Sequence, residues 1–329
     1  MKILKKIGLV AIAALLLTAC GKNSGSTETA KSNSAASDYP KKPVEVIVGF
    51  GAGGETDTIA RLVFQYASKY FDQNFAIINK PGASGELAWS EVAKAKPDGY
   101  TIAFINPPTF VSHPVQRANA GYQIEDFRII ANMVKDPACI VVPAKSDINT
   151  MEDFVEKAKG NQLSIGYWGP GASEAVTLRQ LEELGNYEFD KIPYDGSASS
   201  VVALLGGQID SCILNVSGAI NYTNDGSVKI IGVASKDRSP FYPDVPTFEE
   251  SGIKIYNDAY RGVAAPKDVP EDVVDKIEEA INKALEDPEF KKRAEEMKLP
   301  IYYQDSDEFT KTIEEIKVEL TKELEKGEW

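Results

Sequence analysis

From Tyr39 onward, short β-branched runs alternate with amphipathic stretches that have the periodicity of helices. This alternation is typical of α/β proteins whose strands are mostly parallel. We predict seven strands, at residues 44–48, 75–78, 101–105, 140–142, 163–167, 211–214 and 229–234. Two helices are predicted near the end of the chain. Their apolar faces hold Val273, Val274, Ile277, Ala280, Ile281, Ala284 and Leu285 in one and Phe309, Ile313, Ile316, Leu320 and Leu324 in the other, which begins at Ser306.

Two glycine-rich turns connect a predicted strand to a predicted helix. The first lies in VIVGFGAGGETDTIAR (residues 46–61) and the second in SIGYWGPGASE (residues 164–174). Glycine allows a ligand to approach the backbone closely, and the N–H groups at a helix start attract anions. Ligands of open α/β sheets bind at the carboxyl ends of strands, so we expect the two turns to face each other across a cleft.

The first turn also contains Gly49, Gly51 and Gly54, the G-x-G-x-x-G spacing of dinucleotide-binding enzymes. Such an enzyme needs an acidic residue at the end of the second strand to hold the ribose. Here that strand ends in Asn79 and Lys80. An exported nucleotide-dependent enzyme is therefore only a remote alternative.

Other catalytic and metal chemistry has little support in the composition. A hydrolase triad and a metal cluster both rely on histidine or on grouped cysteines. The chain has one histidine, His113, directly before Pro114. We therefore expect no enzyme activity, no cofactor and no metal site.

The start of the chain is typical of an exported lipoprotein. Lysines precede an apolar run at residues 7–17, and the sequence LTAC then ends at Cys20, which resembles a bacterial lipobox. We predict a signal peptide at residues 1–19, lipid on Cys20 and a flexible polar tether at residues 20–38. A transmembrane anchor is the alternative, although the run is shorter than the roughly 20 residues of a span.

Charge and cysteine content limit the partners of the exported body. Of 36 basic residues, three lysines lie in the signal, so 33 remain against 49 acidic residues, a net charge of about −16. Nucleic acid and anionic lipid are poor partners for such a chain. Cys139 and Cys212 lie in apolar runs and are either buried thiols or a single disulfide.

Eight segments together resemble one family, the extracytoplasmic solute-binding receptors of tripartite tricarboxylate transporters, which are related to the Bug receptors. The resemblance covers nearly all of the chain from Tyr39 onward. The segments are YPKKP (39–43), GGETD (53–57), NKPGASG (79–85), AKAKPDGYT (93–101), IPYDG (192–196), LLGGQID (204–210), PDVPTFE (243–249) and YRGVAAP (260–266).

This resemblance implies a two-lobed periplasmic-binding-protein fold, type II-like, with a cleft between the lobes and two hinge crossings. One lobe would comprise residues 39–139 and 258–329, and the other residues 140–257. Hinge strands are expected near residues 140–143 and 255–264.

The resemblance also implies that main-chain amides of both turns hold the ligand. The implied binding residues are Gly51, Ala52, Gly53, Gly54, Thr56 and Asp57 in the first turn, Gly169, Gly171, Ala172 and Ser173 in the second, and Asn106 and Tyr194 beside them. Asp57 is expected mainly to order its own loop. Trp168 and Tyr167 either wall the pocket or pack in the core.

Three charged residues depart from a plain carboxylate site and have two interpretations each. Glu55 and Glu174 either point outward and cap their helices, or contact a cationic or donor-rich part of the ligand, as in an amino acid. Arg261 either binds a second ligand carboxylate or pairs with an acid such as Asp258.

The implied function is capture of a small carboxylate and its delivery to a membrane transporter. The ligand classes are di- and tricarboxylates, aromatic acids and amino acids. Localisation is extracytoplasmic, on the membrane through the N-terminal lipid. The alternative is a lipoprotein that senses its ligand and signals to a membrane receptor.

Overall fold

The structure is a computed structural model that describes residues 38–159, 163–169, 172–185, 187–194 and 196–327. The predicted signal peptide, Cys20, the tether up to residue 37 and Gly171 lie outside these residues. No helix within the described ranges has both the length and the apolar character needed to cross a bilayer.

The described residues form ten strands. They are β1 (Val44–Val48), β2 (Phe75–Asn79), β3 (Thr101–Ile105), β4 (Phe127–Pro143), β5 (Leu163–Tyr167), β6 (Phe189–Pro193), β7 (Ser211–Asn215), β8 (Val228–Val233), β9 (Asp258–Pro266) and β10 (Ile301–Gln304).

Ten α-helices connect or follow the strands in the same described ranges. They are α1 (Glu55–Ala67), α2 (Glu86–Ala93), α3 (Thr109–Gln116), α4 (Met151–Ala158), α5 (Ser173–Leu184), α6 (Ser197–Leu205), α7 (Val216–Asn224), α8 (Glu271–Glu286), α9 (Pro288–Glu296) and α10 (Ser306–Glu325).

Strand β4 joins two halves of the sheet. In the first sheet half, β1 is parallel to β2 and β3, and β9 lies between β3 and the first part of β4. In the second sheet half, β5 is parallel to β6 and β7, and β7 and β8 pair with the end of β4. The β4 partner changes from β9 to β7 between Pro137 and Ala138.

The chain returns to the first sheet half beside this point. Ala138 donates its N–H to the carbonyl of Asn257, and Asn257 donates to the carbonyl of Ala234. Strand β9 then begins at Asp258. Two crossings thus run side by side, as the hinge prediction requires, and the lobe boundaries at residues 139/140 and 257/258 stay a prediction.

The predicted strands with continuous apolar runs are confirmed, and β1, β3 and β5 agree residue by residue. Strand β10 and the first part of β4 were not predicted, and neither was β6. In β4 the polar residues Lys135 and Asp136 interrupt the apolar pattern. Strand β6 has a largely exposed pattern at the end of the sheet, so it lacks a continuous apolar run.

Packing confirms the predicted helix faces. All seven apolar residues of α8 are buried, and four of the five on α10 are buried, with Leu324 half-buried. Val176 of α5 packs in one cluster with Ile105 of β3, Phe110 of α3 and Ile316 of α10. The two parts of the body are therefore in apolar contact.

Both cysteines of the body are buried and free. Cys212 lies opposite Val141 in the β4–β7 pair, and Cys139 lies opposite Leu214. The disulfide alternative is wrong in this structure, and the alternative of two buried thiols is correct.

Gly262 marks the tightest backbone approach in the crossing strands. A Cβ atom there would lie 2.1 Å from Cε1 of Phe309 and 2.7 Å from the carbonyl oxygen of Ala131. We expect Gly262→Ala to lower the free energy of unfolding by about 1–3 kcal/mol, because the core must move to admit the methyl group. Thermal or denaturant unfolding followed by circular dichroism measures this loss.

Gly51→Ala is the matched control, because a Cβ atom at Gly51 meets nothing within 4 Å. Its unfolding midpoint should stay close to that of the wild type. Equal midpoints for the two variants would contradict the packing argument.

Candidate functional site

The first glycine turn is fixed by Asp57, which is 2% exposed. Its Oδ2 accepts the N–H of Gly53 at 2.8 Å, and its Oδ1 accepts Nδ2 of Asn79 at 2.9 Å. Burial alone would raise the pKa of Asp57, but hydrogen bonds from Arg61, Gly53 and Asn79 outweigh it and hold the pKa below its usual value. Asp57 orders its own loop, as predicted.

The glycines of the dinucleotide-like spacing serve the packing and backbone geometry of this turn. A Cβ atom at Gly49 would lie 2.6 Å from Cα of Gly85, so Gly49 permits close backbone packing. Gly53 has a φ of +78°, which favours glycine. Gly54 is the N-cap of α1, while Gly51 and Ala52 are exposed at the tip.

The second turn faces the first. Trp168 follows β5, and its ring centroid lies 6.1 Å from that of Phe50, which follows β1. Gly169 has a φ of +92° and accepts the N–H of Ala172 at 3.2 Å. Helix α5 then begins at Ser173. The two strand-to-helix turns predicted from the sequence are thus brought together.

Four helices of the described ranges begin without a side-chain cap around this region. They are α1, α5, α6 and α7, whose N-cap residues are Gly54, Ala172, Gly196 and Asn215. By contrast, α4, α9 and α10 are capped by the side chains of Thr150, Asp287 and Asp305. The N-cap residues of these helices therefore leave backbone N–H groups for other acceptors, and at α7 one of these acceptors is the Asp136 side chain.

A cavity of about 240 Å³ lies where three of these helix starts meet. Its wall includes residues from the start of each helix, namely Gly53, Gly54 and Glu55 of α1, Ser197 and Ala198 of α6, and Ser217 and Gly218 of α7. The cavity therefore has several helix N-termini in its wall, and each is the positive end of a helix dipole.

A buried ion pair crosses this region. Nη2 of Arg261 lies 2.5 Å from Oε1 of Glu55 and also donates to Oδ1 of Asn215 at 3.2 Å. The two charged side chains are 1% and 7% exposed. The outward orientation considered for Glu55 is wrong. Arg261 does pair with an acid, but that acid is Glu55, whereas Asp258 pairs with Lys135 at 3.0 Å.

Two further carboxyl groups are buried beside the ion pair. Asp136 of β4 accepts the backbone N–H of Ser217 at 3.2 Å and its hydroxyl at 2.5 Å. Burial and the nearby Glu55 raise the pKa of Asp136, with Arg261 acting in the opposite direction. Glu174 is 1% exposed, so its outward orientation is also wrong, and burial raises the pKa of Glu174 to about 7.

Several polar atoms in this region have no hydrogen-bond partner among the described residues. They are Oε2 of Glu55, Oδ1 of Asn106, Nε1 of Trp168 and Nε of Arg261. Asn106 lies beside the start of α1, because its Nδ2 donates to Oγ1 of Thr56 at 3.2 Å. Buried polar groups are normally paired, so these atoms indicate a place for a ligand or water.

Other predicted residues are packed differently. The ring of Tyr194 lies against Gly166, and Tyr167 is buried in a core cluster, so Tyr167 does not wall the pocket. Sequence reasoning missed Asp136, Ser217 and Gly218. The direct passage from β7 into α7 without a capping side chain is the pattern that could have indicated the last two.

Metal chemistry gains no support from the described residues, where no group of His, Cys, Asp and Glu side chains is arranged to hold an ion. His113 is buried against Trp89, with ring centroids 6.0 Å apart. It thus lies in the core.

Comparison with known proteins gives a consistent relationship. Residues 59–325 match the family described as the tripartite tricarboxylate transporter family receptor. A Cupriavidus necator protein, the UPF0065 protein in the gbd 5′ region, is 31% identical over 276 residues, which cover 83% of this chain and 84% of that protein.

Solved structures share the fold. The periplasmic binding protein BugD is 29% identical, with a TM-score of 0.80 over 88% of this chain and 98% of that chain. MatC from Rhodopseudomonas palustris, solved with bound malate, is 25% identical, with a TM-score of 0.79 over 87% and 100% of the two chains. The predicted α/β, two-lobed periplasmic-binding-protein fold is confirmed.

The buried Glu174 makes stability depend on pH. Its folded pKa of about 7 exceeds the value of about 4.3 for an unfolded glutamate, so between these values only the folded chain keeps the proton. The free energy of unfolding should therefore fall as pH rises from 5 to 7, by about 1.4 kcal/mol per pH unit from this group. Denaturant unfolding across this range should show a shallower fall for Glu174→Gln. Parallel curves for wild type and variant would contradict the assignment.

Proposed function

Since the chain belongs to the tripartite tricarboxylate transporter receptor family, we propose that it captures a small carboxylate in the cleft between its lobes and delivers it to a membrane transporter of this type. The members of this family are extracytoplasmic solute-binding receptors, not enzymes. The observation that supports carboxylate capture is the pair of facing glycine turns, each of which opens an uncapped helix.

A carboxylate fits this arrangement for electrostatic reasons. Each helix start offers unpaired N–H groups and about half a positive charge. A carboxylate between α1 and α5 exchanges its water for these fixed dipoles. We assign the contacts to the residues expected from the sequence, Gly51, Ala52, Gly53, Gly54, Thr56, Asp57, Asn106, Gly169, Gly171, Ala172, Ser173 and Tyr194.

Lobe closure would couple capture to delivery. A ligand that contacts residues 39–139 with 258–329 on one side and residues 140–257 on the other binds best when the lobes are closed. Closure then creates a surface that a membrane partner can recognise. The related MatC was solved with malate, which supports a small organic acid as the ligand.

We further propose that the protein is a lipoprotein anchored through Cys20. The tether of residues 20–38 would keep the body close to the membrane that holds the transporter. This placement suits a receptor that must find its transporter by diffusion over a short distance.

The anchor is tested by metabolic labelling with a fatty acid. Wild type and Cys139→Ser should both incorporate the label, because Cys139 is buried in the body. Cys20→Ser should lose it, since the acylated thiol is gone. Undiminished labelling of Cys20→Ser would refute the anchor.

The carboxylate site is tested by adding a cap to α1. Gly54 has the extended backbone of an N-cap residue, so Gly54→Ser and Gly54→Asp should place a side-chain oxygen on the free N–H groups. We expect calorimetric affinity for small carboxylates to fall tenfold or more, with the larger loss in Gly54→Asp because it adds charge.

Thr150→Asp is the matched control. Thr150 already caps α4, which lies outside the cleft, so this variant adds the same charge at an N-cap without affecting the site. Its affinity should equal that of the wild type. Unchanged binding in both Gly54 variants would refute the proposed site.

A further inference from the structure

The two glutamates at the candidate site occupy equivalent positions on facing helices. Glu55 is the first residue of α1, and Glu174 is the second residue of α5. Both side chains are more than nine-tenths buried. Burial of an ionised carboxylate requires a partner for its charge, which Arg261 supplies to Glu55 but which Glu174 needs whenever it loses its proton.

If all three carboxyl groups of this cluster are ionised, the charges of the described residues do not balance. Glu55, Glu174 and Asp136 supply three carboxyl groups, and Arg261 is the cation that bonds to one of them. Its Nη2 contacts Glu55 and Asn215, and its Nη1 donates to the carbonyl of Tyr260. Both N–H groups of Nη2 are therefore engaged, so Arg261 has no free pair of Nη1 and Nη2 donors for bidentate binding of a second ligand carboxylate.

Two buried side-chain oxygen atoms in this region accept no hydrogen bond from the described residues. Oε2 of Glu55 is buried without a partner, and a Cβ atom at Gly218 would lie 2.9 Å from it. Glu55 and Gly218 both line the 240 Å³ cavity, so this buried oxygen lies beside its wall. Oδ1 of Asn106 is a second unpartnered acceptor, on a residue 4% exposed.

Within the described part of the chain, the Glu174 carboxylate accepts a hydrogen bond from its own backbone N–H but has no directly bonded cation. Its Oε2 lies a long 3.4 Å from the hydroxyl of Ser173. Its electrostatic neighbours include both Glu55 and Arg261, which places all three in one group. An ammonium group has three N–H donors and a positive charge, and it satisfies two such carboxylates and an amide oxygen at once.

We propose that the ligand carries an ammonium group beside its carboxylate, with the carboxylate at the helix N-termini and the ammonium between Glu55 and Glu174. The ligand class is then a small amino acid or similar zwitterion. The inference rests on the proposed function and specifies its substrate. The cavity of 240 Å³ lies on the Glu55 side of this cluster, and its volume, below the 300–1,000 Å³ of drug-sized sites, suits a ligand of this size.

Matched ligands isolate the ammonium group. Aspartate, malate and succinate differ at one carbon in having an ammonium, a hydroxyl or a hydrogen, and alanine, lactate and propionate form a shorter set. Glutamate, 2-hydroxyglutarate and glutarate form a longer one. In at least one set we expect calorimetry at pH 8 to give the amino acid a tenfold or greater advantage over its hydroxy acid.

Variants assign the advantage to the glutamates. Glu174→Gln keeps the shape of the side chain and should reduce amino acid affinity tenfold or more while leaving the hydroxy acid within threefold. Glu174→Asp should retain part of the preference, because it keeps the charge. Glu55→Gln tests the other glutamate by the same affinity measurements. Because Glu55 also pairs with Arg261, circular dichroism is needed to verify that this variant folds.

Glu296→Gln is the matched control. Glu296 lines the same cavity on α9 but already pairs with Arg293 at 2.9 Å. It should leave both affinities and the preference unchanged. A loss of preference in this control as well would overturn the assignment to Glu55 and Glu174.

The pH dependence gives an independent readout. The charged neighbours of Glu174 are Arg261 of β9 and Glu55 of α1, and Asp136 of β4 is in turn a neighbour of both. Glu296 lies on the cavity that Glu55 lines. A bound ammonium favours ionised Glu174, so amino acid affinity should rise several-fold from pH 6 to pH 8. Succinate affinity should fall over the same range, because a second carboxylate is repelled by the ionised group.

Failure of this inference can be told from failure of the proposed function. Hydroxy or plain acids that bind as tightly as the amino acid in every set would overturn the ammonium and leave the carboxylate receptor standing. An amino acid preference that survives in both glutamate variants would overturn its assignment to these residues. If no acid of any set binds, both proposals are overturned.

Discussion

The Glu55–Arg261 ion pair is the interaction on which the site depends, because it joins three parts of the fold at one point. Glu55 begins α1, Arg261 lies in the crossing strand β9, and Asn215 ends β7 on the second sheet half. Removing one partner of a buried pair leaves an uncompensated charge, which costs about 3–5 kcal/mol. The start of α1 is therefore held in register with both the hinge and the opposite sheet half. The ion pair therefore also sets the direction in which the backbone N–H groups at the start of α1 point.

Three of the ten helices in the described ranges are capped by the side chain of their N-cap residue. Away from the cleft, Thr150, Asp287 and Asp305 cap their helices and contribute about 1 kcal/mol each. Around the cleft, α1, α5 and α6 have no such cap, which is also true of α2, α3 and α8, whereas Asp136 bonds to the start of α7. Under the proposed function, a bound anion supplies this stability at α1 and α5, which couples occupancy of the proposed site to stability.

The sequence predicts the parts of this structure that depend on local pattern. Apolar runs and glycine turns identify the buried parallel strands and the two helix starts, and the loop role of Asp57 follows from its position four residues after Gly53. The partner of Glu55 could not be found in this way, because Arg261 lies 206 residues away in the chain. Asp136 was missed for a related reason, since one carboxylate in a strand shows its importance only when β7 places Ser217 beside it.

The same dipoles explain why acidic residues are tolerated at an anion site. With the cleft empty, the partial positive charge at the start of α5 offsets part of the cost of burying Glu174, and the proton that Glu174 retains offsets more. A ligand carboxylate competes for these N–H groups, so the helix dipole no longer offsets the cost of burying Glu174. A ligand that brings its own positive charge removes this conflict, because the helix dipoles then serve the ligand carboxylate and the ammonium serves the glutamates. Under the proposed function, charge balance in the cleft, more than the presence of any one residue, decides which acids the site accepts.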